Sequence, residues 1–138
     1  MSKDGKVPYD ELDPPIVALV RAIHELPGIT TWGSCGGGEG HMAEADQWWV
    51  TLTPEKKKSR PTKTGWFSLE FLCWAIRDVG WEGRHVRIVP SAKPPFLNNP
   101  GHMLFFQLEG HRGENGGIEP DEVAGRLNEM RLEYFTLD

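Results

Sequence analysis

Seven segments of this chain carry a readable periodicity, and their order restricts the fold more than any other feature. Three have apolar residues at helical spacing. The first runs from about Pro14 to Leu26, with Ile16, Leu19, Val20 and Ile23 on one face and Pro27-Gly28 as its stop. Asp13 suits its N-cap, and Pro14 suits a first turn where its missing N–H costs nothing. The second spans about Trp66 to Val79, with Leu69, Leu72, Cys73 and Ile76 on its stripe and Gly80 as the stop. The third spans about Pro120 to Phe135, with Val123, Leu127, Met130 and Tyr134 inward and Asp121 and Glu122 at its dipole-favoured first turn. Four further segments read as strands. Ile29 to Trp32 is short and β-branched. Gln47 to Leu52, Arg84 to Val89 and Met103 to Glu109 alternate between an apolar and a less apolar side.

The resulting order is helix, strand, strand, helix, strand, strand, helix. It predicts an α+β fold: a mostly antiparallel sheet of about four strands with three helices packed on one face. The first two thirds read as an α-β-β unit used twice, each copy turning near a glycine, Gly28 or Gly83. With 138 residues and no long linker, the chain is expected to be a single domain, 1–138. A hydrophobic content of 38% against 25% charged residues suits a packed core.

No apolar run approaches the roughly 18 residues of a membrane span, and the opening residues MSKDGK lack the apolar core of a secretion signal. Two cysteines, Cys35 and Cys73, make no disulfide framework, so a reduced, cytoplasmic protein is expected. Cys73, on the apolar stripe of the second helix, reads as core. The formal net charge of -5 argues against a protein that coats nucleic acid by charge alone and makes DNA an unpromising partner. The cluster Lys56, Lys57, Lys58, Arg60 and Lys63 is read first as a solvated loop, with RNA contact as the alternative.

The most unusual segment is Thr30 to His41, which leaves a strand and enters the run Gly36-Gly37-Gly38. Such a run lets backbone N–H groups approach a ligand closely. It has neither the Lys-Ser/Thr ending of a P-loop nor the helix-opening glycines of a dinucleotide fold. Cys35 fits three roles: a nucleophile assisted by His41, His85 or His102, a metal ligand, or a residue that shapes the turn. No further ligands stand at recognisable metal spacing, so no metal is expected. The less apolar sheet side would show Trp49, His85, Arg87, Phe105 and Gln107 near His102, a set able to stack a planar base. Among the tryptophans, Trp48, Trp66, Trp74 and Trp81 suit packing, whereas Trp32 and Trp49 suit a pocket wall.

The stretch from Asp13-Pro14-Pro15-Ile16 to Leu26, followed by Thr31-Trp32-Gly33-Ser34-Cys35-Gly36-Gly37 and a Trp-bearing strand, resembles the wybutosine-synthesising methyltransferases of the third pathway step. Thr31, Ser34, Cys35 and Gly37 match the family's Thr-Thr-Ser-Ser-Cys-Ser-Gly stretch, while Trp32 and Gly33 replace a Thr and a Ser, and Gly38 replaces a basic residue. The likeness covers roughly the first 80 residues and implies an α+β fold. It also implies S-adenosylmethionine as cofactor and a modified base in tRNA as substrate.

The working site is therefore expected in the loop Thr31 to His41, roofed by His85, Arg87 and His102. Ser34, Cys35 and His102 are the catalytic candidates. Thr31, Trp32, Gly36, Gly37, Gly38, His41, Trp49, His85, Arg87 and Phe105 are the binding candidates. If the resemblance extends to activity, the glycine run holds polar groups of cofactor or substrate, and His102 or Ser34 assists proton removal from the attacking nitrogen. The alternatives are a non-catalytic module for a nucleotide or small signal, and a protein-interaction module using the aromatic face.

Overall fold

The computed structural model describes residues 12, 14–36, 46–54, 65–92, 104–113 and 115–135. A 3-10 turn, Pro14–Ile16, leads into helix α1 (Val17–His24), followed by strands β1 (Ile29–Cys35) and β2 (Gln47–Pro54). Helix α2 (Gly65–Trp81), strands β3 (Val86–Ala92) and β4 (Leu104–His111) and helix α3 (Pro120–Tyr134) complete the chain. The α+β expectation holds, and all the strand pairings are antiparallel in the order β1-β2-β4-β3.

The two halves share one plan. In each, a helix ends, a glycine takes positive φ (Gly28 at 69°, Gly83 at 79°), and two antiparallel strands follow. Only glycine enters this backbone region without a Cβ penalty. The second strands of the two halves, β2 and β4, lie side by side at the sheet centre, which makes the sheet order symmetric about that pair.

Alternation decides what is buried. Trp48, Val50 and Leu52 of β2 and Leu108 of β4 point to the helical side and are fully buried. They meet Ile16, Leu19 and Ile23 from the first helical segment, Leu72 and Ile76 of α2, and Val123 and Leu127 of α3. Each such side chain contributes about 1.5–3 kcal/mol through burial. Helix α3 packs against both α1 and α2. Its start is fixed by a capping box in which Glu119 and Glu122 satisfy each other's backbone donors. Two polar side chains inside find partners: Trp48 Nε1 donates to the Ile118 carbonyl at 2.9 Å, and Ser68 Oγ donates to the Pro27 carbonyl at 2.6 Å.

Four expectations need correction. Strand β1 continues past Trp32 to Cys35, so the first half of the expected ligand loop is sheet. A bulge between Thr31 and Gly33 absorbs the irregularity that the glycine announced. Cys73 is exposed rather than core. Phe71 and Ala75 are buried, with Phe71 against Tyr134 and Phe135, so α3 pulls the buried arc of α2 away from Cys73. Trp66, Trp74 and Trp81 are exposed rather than packed inside, at 48%, 43% and 76%. Trp74 stacks on Tyr134, and Trp66 meets Phe106 edge-on. The first helix is also shorter than expected, ending at His24 after a 3-10 start, and Asp13 lies outside the described residues.

Candidate functional site

The helices occupy one side of the sheet. Among the described residues no helix packs on the other, and its outward side chains form the candidate site. Residues paired directly across antiparallel strands share a face. Trp49 pairs with Cys35 on one side and Glu109 on the other, and Glu109 in turn pairs with Arg87. Thr51, Gln107 and Val89 form the next row. The row at Glu109 is tied by hydrogen bonds. Arg87 Nε donates to Glu109 Oε2 at 2.6 Å, and Gln107 Nε2 donates to Glu109 Oε1 at 2.8 Å. The Arg87 side chain is 74% exposed and that of Glu109 25%, so the pair contributes little to stability but fixes the carboxylate in place.

A Cβ at Gly33 would lie 3.7 Å from Trp49 Cζ3, an ordinary van der Waals distance, so the Trp49 ring packs beside the β1 backbone at the bulge. Beside this row, His111 and His85 close the end of the sheet, their ring centroids 4.6 Å apart and tilted by 57°. The His111 N–H donates to the His85 carbonyl at 3.3 Å. His111 Nδ1 is buried without a hydrogen-bond partner among the described residues. Trp49, His85, Arg87, Gln107, Glu109 and His111 are among the residues lining an open concavity of about 660 Å³, which Gly80 and Gly83 of the α2–β3 turn also line.

The expected binding residues are therefore only partly gathered. Trp49, His85 and Arg87 line the concavity. Phe105 pairs with Ser91 on the same face, beyond Gln107, and does not line it. Trp32 is 70% exposed, and its Nε1 donates to Thr53 Oγ1 at 2.6 Å, away from the concavity. Thr31 pairs with Leu52, and its hydroxyl meets His24 Nδ1 at 3.2 Å on the helical side. Ser34 pairs with Val50, a core residue, and Cys35 is buried. Gly36 is buried too, and its carbonyl accepts from Arg112 Nη1 at 2.8 Å. Gly37, Gly38, His41 and His102, like the Lys56–Lys63 cluster, lie outside the described residues.

Within the described part of the motif, Thr31 and Ser34 thus face the helices, while Cys35 and Gly36 are buried. Among the described residues no group of three or more His, Cys, Asp or Glu side chains is arranged to hold a metal ion. No described helix is long and apolar enough to cross a membrane.

Glu109 and His111 belong to the site although the sequence reading did not single them out as ligands. They continue the every-second-residue series begun by Phe105 and Gln107, and that series is the signal that finds them. Gly80 and Gly83 carried no such signal, because their role comes from where the α2–β3 turn meets the sheet end. No protein-family model, curated protein or solved structure matches the chain.

Proposed function

We propose that the protein binds a ligand carrying a planar nucleobase, which lies on the outer sheet face against Trp49. The observation that carries this reading is the juxtaposition, inside one concavity, of the half-buried Trp49 ring and the fixed Gln107–Glu109–Arg87 row. An aromatic wall gives stacking to any base, and a few oriented polar groups give selectivity. Glu109 offers acceptor lone pairs beyond the two hydrogen bonds it receives, which suits the amino and imino donors of a base edge. The row also contains a cation, Arg87, that can face a phosphate.

Binding is the part of this reading that the concavity carries, since neither Ser34 nor Cys35 is on its lining. A thermal-shift panel of nucleoside mono-, di- and triphosphates, cyclic nucleotides, S-adenosylmethionine and S-adenosylhomocysteine tests it. A ligand at about 100 times its Kd stabilises a fold by roughly 2.7 kcal/mol. The expected result is a shift with at least one nucleotide that disappears in Trp49→Ala. A shift with S-adenosylmethionine that disappears in Ser34→Ala or Cys35→Ala would instead favour methyl transfer to an RNA base, the activity that the resemblance implies. No shift with any nucleotide rejects the proposal.

A further inference from the structure

Helix α2 meets the core with Leu69, Leu72, Ile76 and Val79. Its opposite side carries an exposed stripe of six residues: Trp66, Glu70, Cys73, Trp74, Arg77 and Trp81. At 3.6 residues per turn they fall within one arc of about 100°. Trp66, Glu70, Cys73 and Arg77 follow the four-three-four spacing of a two-helix seam, and Trp74 and Trp81 flank it on one side. Three of the chain's six tryptophans thus lie on a surface that stays open among the described residues. Burial inside the fold gives no account of them. The stripe's charges are also left over. Neither Glu70 nor Arg77 makes an ion pair among the described residues, whereas Asp78 meets Arg126 of α3 at 3.8 Å. Seven residues apart, Glu70 and Arg77 stand about 10 Å apart along the axis, too far to pair with each other.

We infer that this stripe is the interface for a second copy of the chain, with the two α2 helices packed antiparallel about a twofold axis. The stripe is self-complementary under reversal. Reversal about the midpoint between Cys73 and Trp74 sets Trp66 opposite the partner subunit's Trp81, and Glu70 opposite the partner subunit's Arg77. The twofold repeats each contact, so the dimer gains two aromatic and two opposite-charge contacts. A parallel pair in register would set like charges against each other at both positions, so charge selects the antiparallel arrangement. The two Cys73 side chains come together near the axis. The three indoles expose about 250–400 Å² per copy, and the side-chain stems of Glu70 and Arg77 add to this. The total is about 1,000 Å², the lower bound for a specific interface, so the dimer should dissociate on dilution. The outer sheet face at Trp49 lies across the sheet from α2 and stays open in this dimer, so the inference goes beyond the ligand reading and does not depend on it.

The test is sedimentation velocity of the full chain between about 1 and 300 µM, a range that spans weak association through small interfaces. Monomer should give way to dimer as concentration rises. Trp81→Ala, which removes nothing buried, should weaken the dimer about tenfold or more. Glu70→Arg alone and Arg77→Glu alone should each weaken it about tenfold, because each sets like charges opposite one another twice. The double variant Glu70→Arg/Arg77→Glu should restore it, which a merely structural role of either residue would not do. Thermal melting checks that each variant is folded. A short thiol-specific crosslinker should join two chains through Cys73 and fail with Cys73→Ser. A wild type that stays monomeric at about 300 µM overturns the inference. So does a dimer that is indifferent to Trp81→Ala and to both single charge reversals, or one that the double reversal does not restore.

Discussion

Trp48 and Gly110 should be energetically coupled, and the size of the coupling follows from their contact. Trp48 is fully buried, and Gly110 is its direct partner across the β2–β4 ladder. A Cβ built on Gly110 runs into the Trp48 ring at Cζ2 and reaches 2.9 Å from the His85 carbonyl. Gly110→Ala therefore overpacks a closed site, at about 1–3 kcal/mol. Trp48→Phe costs more. It removes the 2.9 Å hydrogen bond to the Ile118 carbonyl and leaves that acceptor buried, at about 1–3 kcal/mol. It also removes part of a fully buried ring and opens a void, which adds about 1–2 kcal/mol. In Trp48→Phe the ring part that Gly110 touches has gone, so adding Gly110→Ala should cost at least 1 kcal/mol less than it does alone. The clash with the His85 carbonyl keeps the second cost above zero. Urea unfolding of the four proteins of the cycle, at matched m values, measures this directly. Costs that add within about 0.5 kcal/mol would refute the packing argument.

Other outcomes follow from single features. Gly83→Ala, at φ 79° with open space around it, should cost about 1–2 kcal/mol from backbone strain alone, whereas Gly116→Ala, at φ 94° and blocked by the Gly83 carbonyl and the His85 ring, should cost clearly more by thermal melting; equal costs would refute the steric part. Arg112→Ala should destabilise by about 1–2 kcal/mol, because Arg112 joins the Gly36 carbonyl at the end of β1 to Glu119 at the start of α3. Amide exchange at both ends should rise together, and a rise at only one end would separate them. Although Cys73 lies at the surface, partial shielding of its thiol from water by neighbouring side chains, and then the Glu70 carboxylate, push it above its ordinary value. Cys73 should thus react with an aromatic disulfide more slowly at pH 8 than free cysteine, and Glu70→Gln should speed it; an unchanged rate would exclude the charge effect. The linked sign is that folding holds this proton more tightly than the unfolded chain does. The contribution is complete below the unfolded thiol's pKa and is lost as pH rises above it, so alkaline titration should lower stability less in Cys73→Ser.

Where sequence reasoning worked, it worked through periodicity. The alternation of Gln47 to Leu52 placed Trp48, Val50 and Leu52 inside and Trp49 outside, as the burial pattern of β2 has it. The stripe Val123, Leu127, Met130 and Tyr134 is the inward side of α3. It failed where a third element decided the outcome. Cys73 sits next to Leu72 and Ile76 on the helix, and only the position of α3 against Phe71 shows that the buried arc lies on the other side. Glycine was the second source of error. Gly33 suggested a loop, yet the strand continues past it through a bulge. Trp49, His85 and Arg87 were legible as an outward set, because strand alternation is local. Their closure into a concavity with His111 and the α2–β3 turn depends on the β4–β3 register, which no local pattern specifies.

The central claim is that the ligand surface is the outer sheet face at Trp49. Titrating isotope-labelled protein with the nucleotide that gives the largest thermal shift, and following backbone amide resonances, tests its location directly. The account predicts that the largest changes fall on Trp49, Thr51, Arg87, Gln107 and Glu109, with α1 and α3 unaffected. Changes centred on Thr31, Ser34 and His24 at the helical side, or no changes at saturating nucleotide, would contradict it.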